Sequence, residues 1–247
     1  MDSNFKLPTE TVELPSKGYL YSQDSPLAKG EIEMKYMTAK EEDILTNTNY
    51  IRQGTVIDRL LRSLIVTEGV NFDEILIGDK NAIMLAARIL SYGKDYDIKI
   101  QGITTTVDLS LIDNKPLHEE INTKGKNEFT FNLPHSGNVV TFKILSHIDE
   151  LNIDKEVKGL KKLDKDSSSD VTTRLKHIIT SINGKREQKD IREFVDNYLL
   201  AKDARALREK YSEISPDVDL KISYTAADGG EEEMLLPIGL DFFWPEL

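Results

Sequence analysis

Apolar and polar positions alternate most regularly in residues 31–66. In the first part, EIEMKYM at 31–37, apolar side chains occupy every second position, which predicts a half-buried strand. Thr38 followed by Glu41 predicts a capping box, in which the two side chains satisfy backbone N–H groups at the start of a helix. We expect this helix to be short and to end in a polar, asparagine-rich loop at 46–54.

After this loop, Thr55 is predicted to cap a second helix. Two adjacent rows of apolar residues at i, i+4 spacing follow it: Val56, Leu60 and Leu64, and Ile57, Leu61 and Ile65. Together the rows form one wide apolar face, which is typical of a helix that packs on a core. A further helix is predicted over 80–92, capped by Asp79 and stopped by Gly93. It is apolar almost all round, so we expect it in the middle of the core.

From Lys94 onward the period changes to two. Strands are predicted near 96–100, 107–111, 128–131 and 139–144. Short polar connections favour one antiparallel sheet of meander type, and NLPHSGN at 132–138 is the clearest hairpin turn.

Residues 147–214 are predicted to be helical again. Helices are expected near 149–162, 168–182 and 187–214, the last breaking near Leu200. Alternating apolar residues on both sides of Asp228-Gly229-Gly230 then predict a β-hairpin that joins or flanks the sheet. The fold class is therefore α+β, with helical regions flanking a small antiparallel sheet, an extended N-terminal arm and a C-terminal β-hairpin.

The chain is long enough to bury a real core as one or two compact units. Its predicted segments are an extended arm and strand (1–37), a helical segment (38–93), an antiparallel β segment (94–147), a helical segment (148–214) and a C-terminal hairpin with an aromatic tail (215–247). Within the arm, Pro8, Pro15 and Pro26 interrupt any helix. A lone hairpin buries too little to fold, so we expect the arm to pair with the strand at 31–37 or with a partner's sheet.

Three blocks of the sequence resemble one family. They are VELPSKGYLY at 12–21, MKYMTAKEEDILTN at 34–47 with GTVIDRLL at 54–61, and LLPIGLDFFWP at 235–245. These blocks are similar to signature regions of the T4-like bacteriophage baseplate proteins, which are required to assemble the central hub of a contractile tail. Some relatives carry paired cysteines resembling zinc ribbons, and the matching regions here, 101–106 and 225–230, have neither Cys nor His. We therefore expect no zinc and no other cofactor.

Net charge changes the picture of possible partners. The chain carries a formal charge of −11, which argues against general binding to nucleic acid or to an anionic membrane. Residues 155–189 nevertheless hold ten Lys or Arg against five Asp or Glu. This basic segment is either a solvated surface or a docking site for an acidic partner. The longest apolar run, 82–87, is too short to cross a bilayer, and the N-terminus has no apolar signal region, so we expect no secretory signal.

Motifs for catalysis or metal binding are not found. There is no cysteine, and His118, His135, His147 and His177 lack the spacing of a metal-binding helix. Gly184-Lys185 lacks the earlier glycine of a P-loop, and Arg186 stands where Ser or Thr is needed. Residues 164–175 have alternating oxygens but lack the glycine and the final carboxylate of a calcium loop.

The candidate contact surfaces are the arm 1–30, the loop 47–54 and the aromatic tail. Tyr and Arg dominate interface energetics, so the candidate partner-binding residues are Tyr50, Ile51 and Arg52 in the loop, and Phe242, Phe243 and Trp244 in the tail. In the alternative, Tyr50 and Ile51 staple two helices together, and the tail packs into the protein's own core.

The leading functional hypothesis is a non-enzymatic assembly factor that binds other baseplate hub proteins in the host cytoplasm, with no nucleic acid or membrane partner. One alternative is a permanent minor subunit of the hub in the virion, which would need a larger and more apolar interface. The others are a carboxylate-based enzyme with a cleft of convergent Asp or Glu, and a nucleic-acid-binding module acting through 155–189.

Overall fold

The computed structural model describes residues 7–100, 102–163, 169–225 and 230–243, which form an α+β fold. The helices are Ala39–Leu45 (α1), Thr48–Gln53 (α2), Val56–Leu64 (α3), Ile77–Tyr92 (α4), His147–Leu163 (α5), Asp170–Ile178 (α6), Gln188–Asn197 (α7) and Ala201–Ile214 (α8). The strands are Thr9–Glu13 (β1), Glu31–Lys35 (β2), Asp95–Ile100 (β3), Ile103–Asp108 (β4), Phe129–Asn132 (β5), Val139–Phe142 (β6), Ile179–Ile182 (β7), Lys221–Thr225 (β8) and Glu231–Leu235 (β9).

These strands pair in four small antiparallel sheets. β1 pairs with β2, β3 with β4 and β8 with β9, while β6 lies between β5 and β7. The expected single meander over 96–144 is wrong, because β4 ends in a 3-10 turn at Leu109–Leu111 instead of leading to the next strand. The Asp108 side chain caps this turn by accepting the Ser110 N–H at 3.0 Å, which directs the chain away from the hairpin.

Strand β7 lies inside a segment that the apolar spacing predicts as helix (168–182). α6 ends at Ile178, and the following residues extend along β6, with Ile182 opposite Val140. The Thr141 and Ser181 hydroxyls approach to 2.7 Å across the pair. Apolar spacing over a short run does not distinguish helix from strand, but the β-branched residues Ile179, Thr180 and Ile182 favour a strand, and the edge of β6 provides a partner for it.

Helix α2 replaces most of the predicted polar loop. The Asn47 side chain accepts the N–H groups of Asn49 and Tyr50 at 3.0 and 3.2 Å, which satisfies two donors at the start of the helix. Gly54 ends it in a left-handed conformation, with φ of +69°. Asparagine-rich sequence favours helix caps as well as loops, so composition did not distinguish them.

Several local predictions are confirmed. The Thr38 N–H donates to Glu41 at 3.0 Å in a capping box that starts α1. On α3, the apolar face is buried in the core through Leu60, Leu61 and Leu64. Thr55 stands at the N-cap position of α3, but its side chain makes no capping hydrogen bond. The last predicted helix breaks at 198–200, between α7 and α8.

The N-terminal arm is part of the core. Its residues Leu14, Leu20 and Leu27 are buried, and they belong to the same apolar cluster as Ile83 of α4 and Phe142 of β6. Between the two expected alternatives for the arm, β1 pairs with the protein's own strand, β2.

Asp79 joins this arm to α4. The sequence predicts that it caps a helix starting at Lys80, but the helix begins at Ile77, and Asp79 lies buried in its first turn. The Ser16 N–H and hydroxyl donate to the Asp79 carboxylate at 2.8 and 2.6 Å, and the Tyr21 hydroxyl donates to it at 2.5 Å. Burial raises the pKa of Asp79, although the bonds from Ser16 and Tyr21 oppose that shift.

The C-terminal hairpin, β8–β9, forms its own sheet and does not extend another one. It is linked to the rest of the protein just before β8, where the Lys115 N–H donates to the Asp217 carbonyl at 2.8 Å and the Asp219 N–H donates to the Asp113 carbonyl at 2.8 Å. The expected turn at 228–230 falls mostly outside the described residues, as does most of the expected linker at 165–170. None of the helices in the described ranges has the length and apolar character needed to cross a membrane.

Gly78 allows α4 to lie directly against this linking segment. A Cβ atom at Gly78 would be 1.8 Å from the Pro216 carbonyl oxygen, so the Gly78→Ala variant is expected to lose about 1–3 kcal/mol of unfolding free energy. Gly159 in α5 is the matched control, because a Cβ atom there meets nothing within 4 Å. Gly159→Ala should gain about 0.5–1 kcal/mol. Urea unfolding measures the stability of both variants. Equal changes in unfolding free energy would contradict the close approach of Gly78 to the Pro216 carbonyl.

Candidate partner-binding surfaces

Helix α2 carries three of the predicted contact residues. Tyr50 and Ile51 are half-buried against the core cluster, and the Arg59 guanidinium lies over the Tyr50 ring at 4.1 Å. Both residues therefore help to hold α2 against its neighbours, as the stapling alternative expects. Arg52 is exposed. Of the three, Arg52 offers the most surface to a partner.

The aromatic tail is divided between core and undescribed residues. Phe242 and Phe243 are 1% and 0% exposed, within a short 3-10 turn. The Phe242 ring contacts Tyr96 of β3 edge to face, with 5.0 Å between ring centroids. Phe242 and Phe243 thus fill the protein's own core and present no aromatic surface in this conformation, because burying a large apolar ring is strongly favourable. Trp244 lies outside the described residues.

Strand β1, within the arm predicted as a contact surface, has one open edge. Leu14 donates its N–H to Gly30 at 2.8 Å and Tyr36 donates its N–H to Pro8, so even-numbered β1 residues form the bonded pairs with β2. Bonded and non-bonded pairs alternate in an antiparallel ladder. The N–H and C=O groups of Thr9, Thr11 and Glu13 therefore point away from β2.

The far edge of β2 is already occupied. The Val66 N–H donates to the Glu33 carbonyl at 2.9 Å, and the Glu33 N–H donates to the Thr67 hydroxyl at 2.7 Å. Within the described part of the chain, the outer edge of β1 has no such covering, and its three odd-numbered residues are exposed. The β1–β2 sheet is therefore covered on one edge and open on the other.

The exposed face of this sheet is acidic. Glu13 lies opposite Glu31 in the register, and Glu33 lies opposite Thr11. A groove of about 420 Å³ runs over this face from Thr11 to the segment 66–68, and Glu31, Glu33 and Glu68 line it together with Lys29. None of these glutamates forms an ion pair with a described residue. We call Glu13, Glu31, Glu33 and Glu68 the acidic face.

Some of the cations in the basic segment 155–189 form ion pairs. Arg174 binds Glu150 and Arg186 binds Glu128, each through two hydrogen bonds, and Arg192, just beyond the segment, binds Glu156 in the same way. The paired arginine lowers the pKa of Glu156 to about 2. Arg174 and Arg186 are therefore less available for docking an acidic partner, because they already have carboxylate partners.

An ionisable cluster lies between α3, α4 and α5, with His147 buried and Asp58 and Lys80 half-buried. The Lys80 ammonium lies 2.6 Å from Asp58 and 3.2 Å from His147, and the His147 ring packs edge to face on Phe72. His147 is only 2% exposed, so this cluster offers little access to a substrate. Its evident role is to join the three helices. In the described residues, no group of three His, Asp or Glu side chains is placed to hold a metal ion.

Comparison with known proteins gives one match. The family model described as T4 bacteriophage base plate protein matches residues 8–244, which is nearly the whole chain. No curated protein and no solved structure matches the sequence or the fold significantly.

Proposed function

The chain belongs to the T4 bacteriophage base plate protein family, and we propose that it serves as a non-enzymatic assembly factor that binds other hub proteins while the tail baseplate is built. The observation that carries this proposal is the extent of the family match, from residue 8 to residue 244. Because the match includes the arm, the helices and the C-terminal turn, it concerns the whole fold and not one shared motif. Assembly would take place in the host cytoplasm.

The distribution of exposed apolar residues supports transient binding. The most exposed ones lie on separate elements: Leu111 after β4, Leu163 at the end of α5, Tyr198 between α7 and α8, and Leu235 on β9. A permanent hub subunit would be expected to present a large apolar interface, of roughly 2,000 Å² or more. Single apolar residues separated by charged surface are ordinary on a protein that is exposed to water.

Arg52 is the first contact residue to test. It is exposed at the end of α2, and arginine is enriched among residues that dominate interfaces. Tyr50 and Ile51 would contribute their exposed sides, while Trp244 remains a proposed contact on its residue type alone. The Arg52→Glu variant should weaken binding to a hub partner without lowering stability, and Lys185→Glu is the control at another exposed cation.

The decisive experiment separates an assembly factor from a permanent subunit. The other baseplate proteins encoded with this chain would be co-expressed with and without it, and hub assembly would be followed by sedimentation velocity. Mature tails would then be purified and the chain quantified in them by mass spectrometry. An assembly factor is required for the hub and is depleted from the finished tail. Stoichiometric presence in finished tails would support a permanent minor hub subunit, and normal assembly without the chain would contradict both roles.

A further inference from the structure

We infer that the open edge of β1 accepts an extended, basic segment of another baseplate protein, which adds a strand to the β1–β2 sheet. This inference rests on the proposed binding role and names the surface and the chemistry of the partner. Thr9, Thr11 and Glu13 direct their backbone N–H and C=O groups away from β2, and all three are exposed. An edge of this kind is a ready template for a pairing strand.

The edge is held in place for binding. Directly after β1, the buried Leu14 and the Ser16–Asp79 bonds fix the chain to α4. On the other side, β2 is held by Val66 and Thr67. A partner strand would therefore meet an ordered backbone and would not have to order β1 as it binds. Such preorganisation reduces the entropy lost on association.

Charge identifies the partner strand. Glu13 and Glu33 lie on the exposed face of the sheet, and Glu31 and Glu68 line the groove beside them. Neighbouring strands lie about 4.8 Å apart and successive side chains point to opposite faces. A strand added to β1 therefore projects every second side chain over the acidic face. Lysine or arginine at those positions can reach the carboxylates, and their apolar stems can lie over Thr11.

The same charges disfavour a second copy of this chain as the occupant. Antiparallel pairing of β1 with its own copy would bring two acidic faces together in one sheet, at a net charge of −11 for each chain. Like charges on neighbouring strands are destabilising, and charged side chains are a known way of keeping sheet edges from self-association. The acidic face thus both protects the edge and selects a basic partner.

Thr11→Pro tests the backbone part of this inference. The Thr11 N–H points to the open edge, so proline removes one outward donor and leaves the bonds between β1 and β2 in place. The probe is a fluorescent twelve-residue peptide of alternating lysine and threonine, and binding is measured by anisotropy on the full chain. We expect Thr11→Pro to bind this peptide about tenfold more weakly than the wild type, and Thr11→Val to bind it normally.

A second measurement keeps the test valid if Thr11→Pro does not fold. Here the wild-type protein is titrated with a peptide whose amides are N-methylated along one edge, which keeps its charge but removes donors. Weaker binding of the methylated peptide is expected, together with slower hydrogen exchange at the Thr9 and Glu13 amides when the unmodified peptide binds. Equal binding of both peptides, or unchanged exchange at these amides, would overturn strand addition.

Charge reversal tests the chemistry of the partner. The double variant Glu13→Lys with Glu33→Lys should bind the lysine peptide at least tenfold more weakly than the wild type, and it should bind a peptide of alternating glutamate more tightly. The matched control is the double variant Glu187→Lys with Glu193→Lys, which reverses the charge of two exposed glutamates elsewhere on the surface. Equal losses in the two double variants would mean that only overall charge matters, and the inferred site would be wrong.

The assembly assay separates this inference from the proposed function. If the wild type promotes hub assembly and Thr11→Pro does so equally well, the chain is an assembly factor that uses another surface. If the wild type has no effect on assembly, the proposed function fails, and the peptide measurements still decide whether β1 accepts a strand.

Discussion

Replacement of Asp79 by alanine is expected to lower the free energy of unfolding by about 3–5 kcal/mol. The carboxylate accepts the Ser16 N–H, the Ser16 hydroxyl and the Tyr21 hydroxyl, and all three residues are buried. Alanine would leave these donors without their acceptor and release the arm from α4. Urea unfolding followed by circular dichroism measures the change.

Two variants define how the Asp79 result is interpreted. Asp73→Ala is the control, because Asp73 forms an exposed ion pair with Arg62. Its removal should lower the free energy of unfolding by at most about 1 kcal/mol. Asp79→Asn keeps one acceptor oxygen, so its free energy of unfolding should fall less than that of Asp79→Ala. If Asp79→Ala unfolds like the wild type, the arm is held by apolar burial alone and the hydrogen bonds are unimportant.

The Asp79→Asn variant also isolates a pH effect. Burial raises the pKa of Asp79, so the folded protein binds this proton more tightly than the unfolded chain does. Protonated Asp79 therefore stabilises the folded protein. This stabilisation is fully present below the pKa of Asp79 in the unfolded chain, about 3.9, and it is lost as the pH rises through the higher pKa of Asp79 in the folded protein. The wild type should therefore lose stability relative to Asp79→Asn as pH is raised from about 4. If the difference in unfolding free energy between the wild type and Asp79→Asn stays constant over this pH range, Asp79 has an ordinary pKa.

Phe243→Ala is expected to destabilise the protein by about 3–5 kcal/mol, which lowers its melting temperature by roughly 6–20 °C. The Phe243 side chain is 0% exposed and packs against Phe242, with 5.6 Å between ring centroids. Its removal leaves a cavity near the end of the chain, where the surrounding residues close it only in part. Differential scanning calorimetry gives both the melting temperature and the enthalpy.

Tyr198→Ala is the matched aromatic control. Tyr198 is 62% exposed, so its loss should change stability by less than about 0.5 kcal/mol. The comparison also decides between the two hypotheses for the tail. A melting temperature of Phe243→Ala equal to that of the wild type would show that the ring is not needed in the core, and a partner pocket would become its expected location.

Local patterns predicted the elements whose contacts are themselves local. The alternation at 31–37, the Thr38 and Glu41 capping box and the two apolar rows of α3 correspond to observed elements. A backbone period of 2 or 3.6 places side chains on one face wherever the chain packs, so it can be detected without knowing the partner. The family resemblance was likewise carried by local blocks, and it agrees with the match over residues 8–244.

The candidate site was predicted less well than the fold. Residue type makes Tyr50 and Arg52 candidates, with Ile51 between them, yet of the three only Arg52 is exposed. Phe242 and Phe243 were candidates for the same reason and are buried. Aromatic residues are common both in protein cores and at interfaces, so the residue type alone does not show whether an aromatic side chain is exposed. The arm is a predicted contact surface, but which edge of β1 stays open depends on the fold, because β1 pairs with β2 and the segment 66–67 covers the far edge of β2.

Amino-acid order along the chain was sufficient for the α+β class, the capping box of α1, the 132–138 hairpin turn and the break between α7 and α8. Only packing in three dimensions brought Ser16 to Asp79 across 63 positions, drew β7 to the edge of β6 and, among the residues that the structure describes, left the outer edge of β1 uncovered. Local periodicity reports which side of an element is apolar. It contains no information about which distant element will cover that side, because this choice depends on competition among all the surfaces of the folded chain.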